Sequence, residues 1–365
     1  MSSEVTKARF AAFAGVVEAT SPRARWLVLT HDNPDPDALA STAVLALVLK
    51  RRFKRRVTVA YGGMIGRAEN REMVRALRLD LSHLRHLNRR NYQHFALVDC
   101  QPWTGNSQLP DGVVPDVVFD HHPLRKKTTR ARFVDVRPSY GATATILVEY
   151  LEAAGIPLTR PLATGLVYAI RSETQEFGRE AAGPDHEAYD RLLEKVDRRT
   201  LAKIQTARLP LTYFRNLRRA LEGLQGTGNL IVSHLGRVDQ PDIVPELADL
   251  LLRMEGKTWS LATGSHGDRL YLSIRTTNAR ADAGTMMRRL VGKRGKGGGH
   301  GTMAGGYVMI PRTASDGGRA LEREISQRFV KALKKNPERL LPIQLVPPEA
   351  IAAEEAAKAS SASSA

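Results

Sequence analysis

From residue 26 onward, short apolar runs of β-branched and aliphatic residues alternate with stretches of helical period, the pattern of an open α/β sheet whose strands run parallel. The runs at 26–30, 56–61, 95–99 and 113–120 are expected as strands. Helices are expected near Pro36 and at 142–154, 161–171 and 184–196. The apolar stretch from Phe10 to Val17 ends at Glu18 without a small-residue cleavage site, so it reads as an amphipathic first helix and not a secretion signal. An Arg- and Leu-rich segment, 201–222, then reads as a connecting helix, and a second alternation follows: strands at 229–234, 258–265, 269–275 and 307–310, helices at 244–254, 283–291 and 318–335. Beyond about 347 the chain is nearly all Ala, Glu and Ser, too poor in apolar residues to pack. The expected organisation is thus a domain over 1–200, a connector over 201–225, a smaller domain over 226–345 and a disordered Ala/Ser-rich tail over 346–365.

A length of 365 residues suits two cores, and an apolar fraction of 42% fills both. The single cysteine, Cys100, excludes an internal disulfide framework and fits the reducing cytoplasm, where the protein is placed. The longest apolar run, 38–49, falls well short of the roughly 20 residues of a membrane span, so no membrane partner is expected. A formal charge of +17 draws polyanions, and nucleic acid is the natural one. Basic clusters at 50–56, 125–132, 215–219 and 293–296 carry that charge, although any one of them can be simple solvated surface.

Three expected strands end in metal-competent side chains, the edge at which open α/β sheets bind their ligands. The first cluster is His31-Asp32-Asn33-Pro34-Asp35-Pro36-Asp37-Ala38, where prolines on both sides of Asp35 restrict the turn. Its bland alternative is an acidic cap on the helix that follows. The second is Asp99, closing Phe95-Ala96-Leu97-Val98. The third, Asp120-His121-His122, closes Val117-Val118-Phe119, and its adjacent histidines cannot point the same way on an extended chain. Together they offer His31, Asp35, Asp37, Asp99 and His121 as mixed carboxylate and imidazole ligands, a set suited to manganese or a similar divalent ion. A carboxylate such as Asp99 can span two ions roughly 3.5–4 Å apart and so prepare a water for attack on phosphorus without Ser or Cys.

With their spacing, His31-x-Asn33-Pro34-Asp35-x-Asp37-Ala38, Asp99 and Asp120-His121-His122-Pro123 resemble the first three motifs of the Asp-His-His (DHH) phosphoesterases. Gly298-Gly299-His300 followed by Ala304-Gly305-Gly306 resembles the glycine-histidine motif of the C-terminal domain associated with that family, so the resemblance spans roughly 26–310. It implies an α/β fold: an N-terminal open parallel sheet with helices on both faces, a smaller C-terminal α/β domain with a mixed sheet, and an active site in the cleft between them. It also implies two divalent metal ions, Mn2+ first with Mg2+ or Co2+ as alternatives. His31, Asp35 and Asp99 would hold one; Asp37, Asp99 and His121 the other. Asp120 would orient its neighbours, and His122 would meet the scissile phosphate. In the family's fourth motif an aspartate is usual, and Glu173 stands in its place here. Arg275, Gly298, Gly299 and His300 would hold substrate phosphate or a terminal base.

The implied activity is that of the oligoribonuclease (nanoRNase) and 3′-phosphoadenosine 5′-phosphate phosphatase branch: hydrolysis of short single-stranded RNA or DNA to nucleoside monophosphates. The bisphosphorylated nucleotide, or a cyclic dinucleotide, is the alternative substrate. A nucleotide-binding module without turnover is the reading from another class, and a homodimer is left open.

Overall fold

The computed structural model describes residues 4–110, 112–178, 181–311 and 318–345, and the chain falls into two compact units, 1–208 and 209–365. Unit one carries helices α1 (Glu4–Glu18), α2 (Pro36–Arg51), α3 (Ala68–Leu77), α4 (Thr143–Ala153), α5 (Arg160–Glu173), α6 (Gly183–Leu193) and α7 (Arg198–Gln205). Its strands are β1 (Arg25–Leu29), β2 (Arg56–Tyr61), β3 (Ser82–His83), β4 (His94–Val98), β5 (Val117–Asp120) and β6 (Phe133–Val136). They form one sheet in the order β3-β2-β1-β4-β5-β6, every pair parallel. The strand order reverses between β1 and β4, the crevice in which such sheets take their ligands.

The pleat sends alternate residues of β1 to opposite faces: Trp26 and Val28 join the core beneath the helices, while Leu27 and Leu29 join Leu84, Phe95, Leu97 and Val118 on the other side. The fold is α/β with a parallel sheet as the sequence implies, but it differs in one respect. All seven helices contribute to the first core, and the second face is covered by short 3-10 turns and loops through Leu84, Leu87, Tyr92, Leu109 and Val113. The segment between β4 and β5 holds Pro102, Gly105, Pro110, Gly112 and Pro115, too many breakers for a helix. Pro115 also explains why β5 begins at Val117 and not at 113, since a proline cannot donate to an interior ladder.

Unit two begins with α8 (Leu211–Glu222), then β7 (Leu224–Thr227), β8 (Leu230–Arg237), α9 (Ile243–Leu252), β9 (Trp259–His266), β10 (Arg269–Thr276), α10 (Ala283–Val291), β11 (Gly295–His300), β12 (Met303–Met309), α11 (Arg319–Ala332) and β13 (Leu341–Pro342). The single connecting helix expected over 201–222 is instead two, α7 and α8, because Pro210 interrupts it. The sheet order is β11-β12-β10-β9-β8-β7-β13, mixed because β8 and β9 pair parallel while their neighbours pair antiparallel. Helices α10 and α11 pack on one face and α8 and α9 on the other.

The glycine run from Gly295 to His300 forms strand β11, paired with β12 at the sheet edge. Glycine is required there by close packing: a Cβ on Gly297 would stand 2.7 Å from Met287 Cγ on α10, and Gly299 holds φ 149° against Met303 and Ala304. The tail 346–365 lies outside the described residues. Among the described residues no helix is long and apolar enough to cross a membrane.

Candidate metal centre

The turn between β1 and α2 sets the first side of the site. Asp35 caps α2, its Oδ1 accepting from the Ala38 N–H at 3.0 Å, with Pro36 preset for the first helical turn. Asn33 adopts φ 59° and its Oδ1 accepts from the Met64 N–H at 2.8 Å, which ties the turn to the loop after β2. His31 Nδ1 donates to the Asp32 carbonyl at 2.9 Å. A carbonyl only accepts, so the proton sits on Nδ1 and the Nε2 lone pair points at Asp99 Oδ2 (3.4 Å) and Asp35 Oδ2 (3.6 Å).

Asp99 follows the last residue of β4, buried and in the left-handed region at φ 58°, and it stands between two groups. Its Oδ2 faces His31 and Asp35. Its Oδ1 accepts from Thr143 Oγ1 at 2.8 Å and lies 3.7 Å from His121 Nε2 and 3.8 Å from His122 Nδ1. His121 repeats the arrangement of His31: Nδ1 donates to the Tyr140 carbonyl at 3.3 Å, leaving a buried Nε2 that has no hydrogen-bond partner and lies 3.9 Å from Glu173 Oε1. His122 Nδ1 and its backbone N–H both reach Asp120 Oδ1, at 2.8 and 3.2 Å.

Two ligand groups result, His31–Asp35–Asp99 and Asp99–His121–His122, each with donor atoms within 4.8 Å of one another and Asp99 common to both. The separations of 3.4–3.9 Å are too long for hydrogen bonds. They suit atoms sharing an ion, because two ligands each about 2.0–2.2 Å from one centre lie no more than about 4.4 Å apart. The orphaned His121 Nε2 and the convergence of carboxylates on imidazole lone pairs therefore fit divalent cations.

Electrostatics agree with that fit. Burial opposes charging of His31, yet Asp35 and Asp99 favour positive charge at its Nε2 and hold its pKa well above the ordinary histidine value, so a cation bound there would take the place of a proton. For Asp35 burial pushes up, and His31 with the Ala38 N–H brings the carboxyl below the usual range. Burial and the nearby charges of Asp99, Glu173 and Asp35 push Asp37 well up. Burial lowers His122, but Asp120, Asp99 and Glu173 outweigh it and raise the imidazole to about 9.

Asp37 is placed differently from its neighbours. Its two oxygens accept from the Thr143 and Ala144 N–H groups at 2.8 and 2.7 Å, so it caps α4 from across the core while facing the acidic cluster. Glu173, the last residue of α5, reaches the His121 side of the site. Sequence reasoning missed Gln101, whose Nε2 donates to Asp120 Oδ2 (2.6 Å) and the Pro123 carbonyl (3.2 Å) while its Oε1 accepts from Arg125 N–H and Thr128 Oγ1. It also missed Thr143. Neither residue type carries a local signal; their roles arise from contacts across the sheet.

In unit two, Arg275 is buried on β10, with Nε on Asp249 Oδ1 at 2.5 Å and Nη1 on Ser273 Oγ at 2.7 Å. Gly298 faces open space, Gly299 packs on Ala304, and the side chain of His300 lies outside the described residues.

Comparison with known proteins matches the DHH family, N-terminal domain, over residues 25–170 and the DHHA1 domain over 227–326. The chain belongs to the DHH family, its DHH domain followed by a DHHA1 domain. It is 35% identical over 290 residues to an uncharacterized protein of Methanocaldococcus jannaschii, covering 79% of this chain and 59% of that one. It is 24% identical over 294 residues to an A-adding tRNA nucleotidyltransferase of Geobacter sulfurreducens, covering 77% of this chain and 32% of the other. The chain thus spans less than two thirds of one relative and about a third of the other. A crystal structure of an exopolyphosphatase-related protein from Bacteroides fragilis shares the fold, with a TM-score of 0.69 at 14% identity, covering 90% of this chain and 98% of that one.

Proposed function

We propose that the protein hydrolyses phosphodiester bonds of short single-stranded oligonucleotides, using two divalent ions, manganese first, and releasing nucleoside monophosphates. The observation that carries this reading is Asp99, whose two carboxylate oxygens serve different ligand groups, Oδ2 toward His31 and Oδ1 toward His121. Divalent ions held there supply Lewis acidity at phosphoryl oxygens and bring the pKa of water near neutrality.

The chain's own residues supply the rest. Asp99, with His31 and Asp35 on one side and His121 and Glu173 on the other, would hold the ions. Asp37 holds α4, and through Thr143 it holds the Asp99 carboxylate. His122, oriented by Asp120 through Nδ1, stands beside Asp99 where it can offer a proton to the developing charge on the phosphate or its leaving oxygen. Covalent attack by Cys100 is disfavoured, since burial and the nearby Asp120 and Asp99 push its thiol well up. The charge of +17 favours nucleic acid over a small neutral ester, and Arg275, Gly298, Gly299 and His300 are proposed as contacts to a substrate phosphate or terminal base.

The test offers the purified protein short RNA, short DNA, 3′-phosphoadenosine 5′-phosphate, a cyclic dinucleotide and inorganic polyphosphate side by side, with and without manganese. Mononucleotides released from the oligonucleotides only with metal support the reading. Turnover confined to the bisphosphate or to the cyclic compound assigns the alternative substrate, and binding without any turnover assigns a module that has lost catalysis.

A further inference from the structure

Four residues past Asp99, Trp103 sits at φ 60°, a left-handed conformation that bulky side chains rarely adopt unless the surroundings enforce it. The ring is partly exposed, and the Arg130 guanidinium lies over it, 4.9 Å from the ring centroid. The loop that carries Trp103 is fastened to the metal centre at both ends. On one side Gln101 donates to Asp120; on the other the Asp32 N–H donates to the Asn106 carbonyl at 2.6 Å.

Exposed cations flank this loop. Arg125, Lys126, Lys127 and Arg130 run directly on from the Asp120-His121-His122 turn, and Arg89 donates through Nη1 to the Gln108 carbonyl at 3.2 Å, with Arg90 beside it. Among the described residues none of these six has a carboxylate oxygen within 4.0 Å, whereas the neighbouring Arg132 is paired with Asp116. An aromatic ring with unneutralised cations on both sides is the composition that holds single-stranded nucleic acid, a base on the ring and phosphates on the cations. A simple polyanion would need the cations but not the strained tryptophan.

We infer that Trp103 and Arg130 form a base-stacking subsite for single-stranded nucleic acid on unit one, with Arg125, Lys126 and Lys127 on the adjoining phosphates. This rests on the nucleic-acid reading of the same centre but not on turnover. Its occupant is a nucleotide of the strand beyond the one being cleaved, so the subsite favours oligonucleotides over dinucleotides.

The test is binding of a fluorescein-labelled pentanucleotide to the full chain in EDTA, where nothing is cleaved, followed by anisotropy. Trp103→Ala is expected to weaken binding by about fivefold to a hundredfold, Trp103→Phe by less, and the pair Lys126→Ala and Lys127→Ala to flatten the salt dependence. Because Trp26 and Trp259 are buried, quenching of tryptophan emission by the strand should vanish in Trp103→Phe. Far-UV circular dichroism checks that each variant is folded. If the parent binds and Trp103→Ala and Arg130→Ala bind equally well, or quenching survives without Trp103, the subsite is wrong while the catalytic reading stands. Equal competition by inorganic tripolyphosphate and by the strand also overturns it. A parent that binds no pentanucleotide overturns both.

Discussion

His31 Nε2 and Asp99 Oδ2 face each other at 3.4 Å, with the histidine proton held on the opposite nitrogen by the Asp32 carbonyl. The same arrangement recurs at His121, so the centre has two imidazoles aimed at one carboxylate from different sides. Replacing His31 by Ala should therefore spare the His121 side while removing one leg of the pair. Loss of several kcal/mol of charge stabilisation corresponds to a hydrolysis rate roughly a thousandfold lower. Rate assays in excess manganese check this, and a rate within tenfold of the parent would contradict it.

Gln101 holds four partners with one amide, including the Asp120 carboxylate that orients His122. Gln101→Ala leaves several buried polar groups unmatched, at a cost of about 2–4 kcal/mol in stability. Turnover should fall about 10- to 100-fold, as for loss of other groups that orient a site. Thermal melting and steady-state kinetics measure the two effects. Unchanged kinetics would show that Asp120 is held by other means.

His234 on β8 contacts Thr263 Oγ1 at 2.7 Å and Ser326 Oγ at 3.0 Å, with Glu322 one hydrogen bond further away. Burial lowers its pKa to about 4. Folded, the ring stays neutral down to that pH; unfolded, it charges below about 6.5. Between these values the unfolded chain binds the extra proton, so this contribution is complete above pH 6.5 and is lost as the pH falls toward 4. Discounted for partial exposure it amounts to roughly 2 kcal/mol. Urea denaturation of the parent and His234→Gln across that range should show a shallower acid loss in the variant; parallel curves would refute the assignment.

On β6 and the loop after it, Arg137 forks onto Asp135 at 2.9 and 2.7 Å and reaches Glu149 at 2.8 Å, all buried. Arg137→Ala leaves the buried Glu149 without a cation and Asp135 with Arg9 alone, a loss of about 3–5 kcal/mol. Urea denaturation should register it as a fall in midpoint. A change below 1 kcal/mol would mean water reaches the site.

These cases mark what the sequence reveals and what it hides. The strands β1, β2 and β4 are nearly continuous apolar runs and stand out; β6, Phe-Val-Asp-Val, does not, because its buried Asp135 is matched by Arg137, Arg9 and Tyr150 from elsewhere. Strand β11 is hidden for the opposite reason: its glycines offer no apolar signal, and they are explained only once α10 is seen lying against them. His31, Asp35, Asp99 and His121 lie together as residue type and spacing suggest, and Glu173, singled out through the family resemblance alone, lies on the His121 side. For Asp35 the bland reading holds too, since it caps α2 while facing His31. The capping of α4 by Asp37 joins segments over a hundred residues apart, which no local pattern announces.

The most direct test of a carboxylate shared by two ions is manganese titration of the metal-free chain, followed by electron paramagnetic resonance, in the parent and in Asp99→Ala. Two bound ions with an exchange-coupled spectrum in the parent, and loss of that coupling together with hydrolysis in the variant, are the expected result. A single uncoupled ion in the parent, or an Asp99→Ala chain that keeps the coupled spectrum and its turnover, would contradict it.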